Sequence, residues 1–218
     1  MRASLLLAAL ALGGTAADAV WTFDSDPIGR ASAAFSYRVT RDSAPARWTV
    51  QREGTNGFLA HAGEPSARAG FSLALLHGQP RGPQSLSARL RLSGPRGEMG
   101  IAWRVQDVNN YYLALLDLES SEQDIGLYRI VNGNRVRIDV EDDLDLDRAA
   151  WHTLKVVQED DQIRVYLGGI RVLRARDRTF TKPGGVALWC TGDAGAHFDD
   201  LRVGQDQEDA HARDDRGR

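Results

Sequence analysis

Apolar and polar residues alternate along most of this 218-residue chain. In the run Leu86, Ser87, Ala88, Arg89, Leu90, Arg91, Leu92 every even position is apolar and every odd one polar. Gln162 to Leu167 and Arg135 to Val140 repeat the pattern. A period of two sets one side of a strand on a core and the other in water. A helix would spread the same residues around its circumference. From Val20 onward no segment sustains the helical period, so strands are expected throughout.

Turn chemistry supports the same reading. Asn132-Gly133 separates a strand at 126–130 from one around Val136, and both residue types tolerate positive φ. Asp160-Asp161 joins 154–157 to the strand at Ile163, and Gly168-Gly169 turns that strand into 170–173. Three such hairpins in succession predict an antiparallel meander. The acidic stretch 141–147 reads as an exposed loop before a strand at Trp151. Pro80-Arg81-Gly82-Pro83 and Gly94-Pro95-Arg96-Gly97 break the first half. About thirteen strands exceed what one open sheet carries without splitting, so two packed antiparallel sheets are expected.

The ends divide the chain. Arg2, the apolar run 5–12 and the small residues to Ala17-Asp18-Ala19 have the three parts of a secretory signal, with cleavage after Ala19. The run is about half of the ~20 residues needed to span a bilayer, so no membrane insertion is expected. Residues 20–204 suit one sandwich domain, and 205–218 hold almost nothing apolar and are expected to lack order. The predicted location is secreted or periplasmic, as a monomer. A net charge of -3 supplies no basic field for nucleic acid. Of the 27 basic residues only Lys155 and Lys182 are lysines. Cys190, alone, lies in the apolar run 186–190 and reads as a buried thiol.

A set of short motifs occurs in order: Gly100-Ile101-Ala102-Trp103-Arg104, Asp107, Asn110-Tyr111-Tyr112-Leu113, and Trp151-His152-Thr153-Leu154-Lys155-Val156. Gly168-Gly169, 184–189 and 198–203 complete it. This order resembles the concanavalin A-like lectin and glucanase superfamily. Within it the chain looks most like laminin G-like domains related to glycoside hydrolase family 16 and the 3-keto-disaccharide hydrolases, best over 99–203. The resemblance implies a jelly roll with one concave, glycan-holding sheet. It also leaves room for a structural calcium ion, held by backbone carbonyls near the start and by Asp199 or Asp200, with Asp24 close to the first strand; no motif requires a cofactor.

Family 16 hydrolases carry a Glu-x-Asp-x-Glu run whose alternate carboxylates flank the glycosidic bond. Here the nearest match is Asp117-Leu118-Glu119, without the leading Glu. Nucleophile elbows, zinc motifs and phosphate loops are missing too, so no catalytic residue is assigned. Sugars are held by aromatic rings on their C–H faces and by planar side chains on paired hydroxyls. With Met99, Ile101 and Val105 assigned to the core, Arg104 faces outward; with Tyr112, Ala114, Leu116 and Leu118 in the core, Tyr111 and Asp117 do so. Arg129, as a charge, stays out of the core, and Trp189 points away from Leu188 and Cys190. Arg104, Tyr111, Asp117, Arg129 and Trp189 form the predicted ligand face. The expected function is a non-catalytic module binding a glycan or polysaccharide. The alternatives are a keto-sugar hydrolase or lyase with Asp117 as base, and a structural envelope domain without a small ligand.

Overall fold

The computed structural model describes residues 19–40, 47–63, 70–78, 85–94, 97–118 and 123–204. The predicted signal segment up to Asp18, the loop at 80–83 and the tail from 205 lie outside the described residues. Among the described residues fifteen strands form and no helix occurs. The first six are β1 (Ala19–Trp21), β2 (Phe35–Val39), β3 (Trp48–Glu53), β4 (Asn56–His61), β5 (Phe71–Leu76) and β6 (Ser85–Leu92). Then come β7 (Glu98–Asp107), β8 (Asn110–Asp117), β9 (Gln123–Val131), β10 (Asn134–Leu144) and β11 (His152–Glu159). The last are β12 (Gln162–Leu167), β13 (Ile170–Arg176), β14 (Gly185–Thr191) and β15 (Ala196–Gly204).

These strands build two sheets. One runs β13-β12-β11-β6-β15-β4-β3, with β1 added on β15; the other runs β10-β9-β8-β7-β14-β5-β2. All pairs are antiparallel. Alternation sets the inner faces. Leu86, Ala88, Leu90 and Leu92 of β6 meet Met99, Ile101 and Trp103 of β7, Tyr112 and Ala114 of β8, and Leu188 and Cys190 of β14 in one core. Each large aliphatic side chain so buried contributes about 1.5–3 kcal/mol. Two tryptophans tie the sheets by hydrogen bonds inside this core. Trp48 Nε1 donates to Ser72 Oγ at 2.8 Å, and Trp103 Nε1 to Gln158 Oε1 at 2.7 Å.

All three hairpin turns form where expected, with positive φ at Asn132, Gly133, Asp160, Gly168 and Gly169. Two expectations are corrected. The hairpins do not make one meander: β9–β10 belongs to one sheet and β11–β12–β13 to the other, because the chain crosses between sheets after Leu144. Nor is 141–147 wholly a loop. β10 runs to Leu144, Leu144 and Leu146 pack on the core, and Gln123 bonds both the N–H and the C=O of Leu146 at 2.8 and 3.0 Å. The segment alternates Asp and Leu, and that period of two serves an edge strand as well as a loop.

The phase of alternation gives a test. Leu90→Asp or Val165→Asp, each burying an unpaired charge at a position with no exposed surface, is expected to abolish cooperative thermal unfolding, since the cost of several kcal/mol matches the whole stability of a domain. Arg174→Asp, on the exposed side of β13 and directly opposite Arg164, is expected to leave the melting temperature unchanged or raise it.

Candidate functional site

The site begins at an irregularity in β7. Up to Trp103 the strand alternates regularly, but its register slips against β8 between Trp103 and Asp107 and against β14 between Gly185 and Val186. Arg104 sits at the slip with φ 48°. A β-bulge of this sort inserts a residue and re-aims the side chains beyond it. The phase therefore reverses: Val105, predicted for the core, lies in the cluster on the other side of the sheet. Arg104, predicted to face outward from that sheet, turns instead to the seam between the sheets. Its Nε donates to Gln158 Oε1 at 3.0 Å and one terminal nitrogen to the Thr181 carbonyl at 2.9 Å. Gly184 permits this, because a Cβ there would lie 2.4 Å from the Arg104 carbonyl carbon.

Around Arg104 a polar network runs from the core to the surface. Tyr112 stacks on Trp103 with centroids 5.5 Å apart and donates from its hydroxyl to Asp177 Oδ1 at 2.6 Å. The same hydroxyl accepts the Phe180 N–H at 3.1 Å, and the Phe180 ring meets Tyr112 edge-on at 5.1 Å. Asp177 also accepts the Thr179 N–H at 2.7 Å and pairs with Arg129. Burial pushes the Asp177 carboxyl up, but hydrogen bonds from Thr179, Tyr112 and Arg129 outweigh it, and the net shift is down. Burial, then the neighbouring carboxylate, pushes the Tyr112 phenol up to about 12.

Phe180 and Thr181 stand between two hollows at this seam. A cleft of about 580 Å³ is lined by Arg104, Asp161, Gln162, Arg176, Asp177 and Arg178 on its polar sides. A smaller one of about 330 Å³ is lined by Gln106, Asp107, Asn110 and Lys182. Asp161 is paired with Arg178 at 3.0 Å and Arg176 at 3.3 Å. Desolvation pushes its carboxyl up, but the two arginines together outweigh that and hold it below the usual range.

The five predicted residues fall in three places. Arg104 lines the larger cleft, and Arg129 touches its wall through Asp177. Tyr111 and Trp189 share the outer face of the seven-stranded sheet, as expected, with Trp189 Nε1 donating to Tyr111 Oη at 3.0 Å. Neither ring is exposed: both belong to a second apolar cluster with Leu73, Leu113, Leu115 and Ala187. Asp117 is at the far end of β8, about 20 Å from Tyr111 at strand rise. There it aligns with Glu98 on one side and Asp124 on the other. Burial, then Asp117, Asp142 and Glu98, pushes the Asp124 carboxyl up to about 6, against Arg135. Arg135 pairs with Glu98 at 2.7 Å and lies 4.0 Å from the centroid of Tyr128, a ring folded over Gly126, where a Cβ would be 2.2 Å from it.

Gln158, Asp177 and Phe180 had no place in the sequence reading. The one signal for Asp177 and Phe180 is the run 177–182, where Asp177 caps a turn after an arginine-rich strand and a lone aromatic stands among polar residues.

The residues proposed for calcium already have protein partners. Asp24 Oδ1 accepts the Gly57 N–H at 2.7 Å, and Asp199 Oδ2 accepts from Asn56 at 3.1 Å with Arg89 at 3.6 Å. Among the described residues no group of three or more His, Cys, Asp or Glu side chains is arranged to hold a metal ion.

With this architecture in view the chain is similar to several solved structures. It matches carbohydrate binding module CBM66 from Bacillus subtilis with TM-score 0.58 and 19% identity, over 77% of this chain and 94% of that one. It matches Bacillus licheniformis beta-glucanase with TM-score 0.58 and 12% identity, over 89% and 100%. The fold is a concanavalin A-like jelly roll. Domain 4 of AbnA, a GH43 extracellular arabinanase from Geobacillus stearothermophilus solved in complex with arabinotriose, is a further jelly roll of this type, with TM-score 0.55 and 13% identity over 85% and 90%. No family model and no curated protein sequence matches the chain.

The raised Asp124 carboxyl predicts a pH-dependent stability for the outer sheet face of this jelly roll. Its folded pKa is raised above the unfolded value of ~3.9, so the stability it contributes is present below pH 4 and lost as pH rises through about 6. A shift of this size corresponds to about 3 kcal/mol, which partial exposure reduces to about 1 kcal/mol. Denaturant titrations from pH 4 to 7 are expected to show that loss in the wild type, and Asp124→Asn to remove it and to be the more stable protein at pH 7.

Proposed function

We propose that the protein is a carbohydrate-binding module that holds its ligand in the seam cleft beside Phe180. One observation carries this reading: a half-buried aromatic ring, Phe180, stands beside planar hydrogen-bonding side chains, of which Arg104 is already held in position. A pyranose or furanose presents an apolar C–H face for the ring and paired hydroxyls for Arg104 and Gln162. The Arg104 guanidinium is fixed at both ends of its fork, so little side-chain entropy is lost on binding. The matched CBM66 module and the AbnA domain with arabinotriose support the reading by analogy of fold.

The cleft is proposed as non-catalytic because of its carboxylates. Glycoside hydrolysis needs one carboxyl raised to act as an acid beside a second that stays ionised. Two of the three aspartates that line the cleft, Asp161 and Asp177, are held down, with arginines among the causes, so neither of these supplies a proton near neutrality. A second reading has one specific observation in its favour, the raised Asp124 beside Asp117. A carboxyl titrating near 6 is suited to general acid–base work, and turnover of a 3-keto-disaccharide that disappears in Asp124→Asn would establish it.

Export is part of the proposal. No helix among the described residues is long and apolar enough to cross a membrane. Cleavage after Ala19 would leave Val20 and Trp21 paired to Arg202 and Leu201, so β1 keeps most of its bonding. N-terminal sequencing of the exported protein is expected to begin at Val20.

Binding is tested with a panel of neutral oligosaccharides that includes arabinotriose and β-glucan fragments. Phe180→Ala is expected to weaken the best ligand by about tenfold or more, a loss of ~1.4 kcal/mol. Because Phe180 also packs on Tyr112, Arg178→Ala, largely exposed on the cleft wall, is measured beside it and is expected to weaken binding with an unchanged melting temperature. Wild-type binding by both variants would remove the cleft from the mechanism.

A further inference from the structure

The outer side of the eight-stranded sheet carries cations in register. Its outward positions include those between core residues, such as Ser87 on β6, Lys155 on β11 and Tyr166 on β12, and exposed Arg171 on β13, which pairs with Tyr166. Strand pairing aligns Arg202 with Ser87, Ser87 with Lys155, Lys155 with Tyr166, and Tyr166 with Arg171. One straight row thus crosses five strands, with a cation on every second one. Strands lie about 4.8 Å apart, so the cations recur about every 10 Å. Tyr166 sits half-buried in the row, its ring 5.6 Å from Lys155 Nζ.

The neighbouring row adds to the charge at a cost to the fold. Arg164 and Arg174 are directly opposite across β12 and β13, and facing like charges destabilise a sheet. Glu159, 2.9 Å from Arg164, offsets one of them. Arg171 and Arg174 stand exposed on the edge strand. At the other end of the row Arg202 is 3.9 Å from Asp200, a long and exposed contact that leaves the guanidinium accessible.

We propose that this row binds a uronate polysaccharide laid across the strands, with carboxylates at Arg202, Lys155 and Arg171 and a sugar ring against Tyr166. Charge density favours this ligand over a nucleic acid. Duplex DNA presents a charge about every 1.7 Å and requires a broad basic field, whereas this chain is net negative and its cations form a narrow row about 10 Å apart. A polyuronate carries a single carboxylate per sugar and a C–H face for a tyrosine. The surface is separate from the seam cleft, and it extends the carbohydrate-binding proposal from neutral to acidic glycans.

The protein is titrated with polygalacturonate and with the fully methyl-esterified polymer, at low salt and at about 0.5 M salt, where charges are screened beyond a few ångströms. The acid form is expected to bind and the ester to bind at least tenfold more weakly, with the difference lost at high salt. The double variant Arg171→Glu, Arg174→Glu is expected to lose at least tenfold in affinity while its melting temperature holds or rises, because the repulsion with Arg164 is relieved. Tyr166→Ala is expected to weaken binding several-fold. Equal binding of acid and ester, wild-type affinity in the double variant, or equally tight binding of duplex DNA would overturn the proposal. Loss of polygalacturonate binding in Phe180→Ala, with the double variant unaffected, would overturn it in favour of the cleft and leave the neutral-glycan reading standing.

Discussion

Much of this structure hangs on a single amide oxygen. Gln158 Oε1, buried on β11, accepts from Trp103 Nε1 and Arg104 Nε on the opposing sheet, while its own Nε2 donates to the Asp160 carbonyl. The amide is thereby fixed in orientation, and through it the spacing of the two sheets at this seam. Loss of the oxygen would leave the Trp103 N–H buried without a partner, a cost of about 1–3 kcal/mol. It would also remove one of the two bonds that hold the Arg104 side chain, at a residue whose left-handed backbone costs about 1–3 kcal/mol and persists only when its surroundings over-determine it. Tyr112, Asp177 and Phe180 are arranged by contact with Trp103 or with each other. The cleft geometry is thus a consequence of a core hydrogen bond.

The seven-stranded sheet explains why a ligand site sits at the seam and not in mid-sheet. Its central strands are apolar on both sides. Leu113 and Leu115 of β8 and Ala187 and Trp189 of β14 face away from the main core, yet none is exposed. A sheet buried on two faces reads as continuous apolar runs, and β8 and β14 do so. Polar chemistry is displaced to the ends of the strands: to Arg104, Asp107 and Asn110 at one end of β7 and β8, and to Glu98, Asp117 and Asp124 at the other.

The fold was legible because its signals are local. Strict alternation in β6 and β12 and the residues of three turns determine strand and hairpin with no knowledge of tertiary contacts. Which residues of β8 face which way was legible for the same reason, and Tyr111 and Tyr112 do point to opposite faces. What alternation could not give was the bulge at Arg104, since an inserted residue leaves no mark on the pattern before it but inverts everything after. That inversion moved Val105 and Arg104 to the wrong sides in the sequence reading. Nor could the pattern distinguish an exposed outer face from a second buried cluster, which is why Tyr111 and Trp189 looked accessible. The roles of Gln158 and Asp177 were hidden for a further reason: the partners that bring them into the site, Trp103, Tyr112 and Arg129, are 48 or more positions distant along the chain.

The edge strand β13 joins the two proposed surfaces. A bare sheet edge invites pairing with another chain, and proteins block it with charge; β13 has Arg171, Arg174 and Arg176. The same arginines are divided by the strand's alternation and bulge between different tasks. Arg176 closes on Asp161 at the mouth of the cleft, while Arg171 ends the cationic row beside Tyr166. The Val165/Tyr166 register shift on β12 is what allows both, because it brings Arg171 opposite Tyr166 although Leu173 remains opposite Val165 in the core. Protection of the edge and recognition of a glycan are therefore compatible demands on one sequence. An arginine serves the first by being charged and exposed, and the second by being charged and in register.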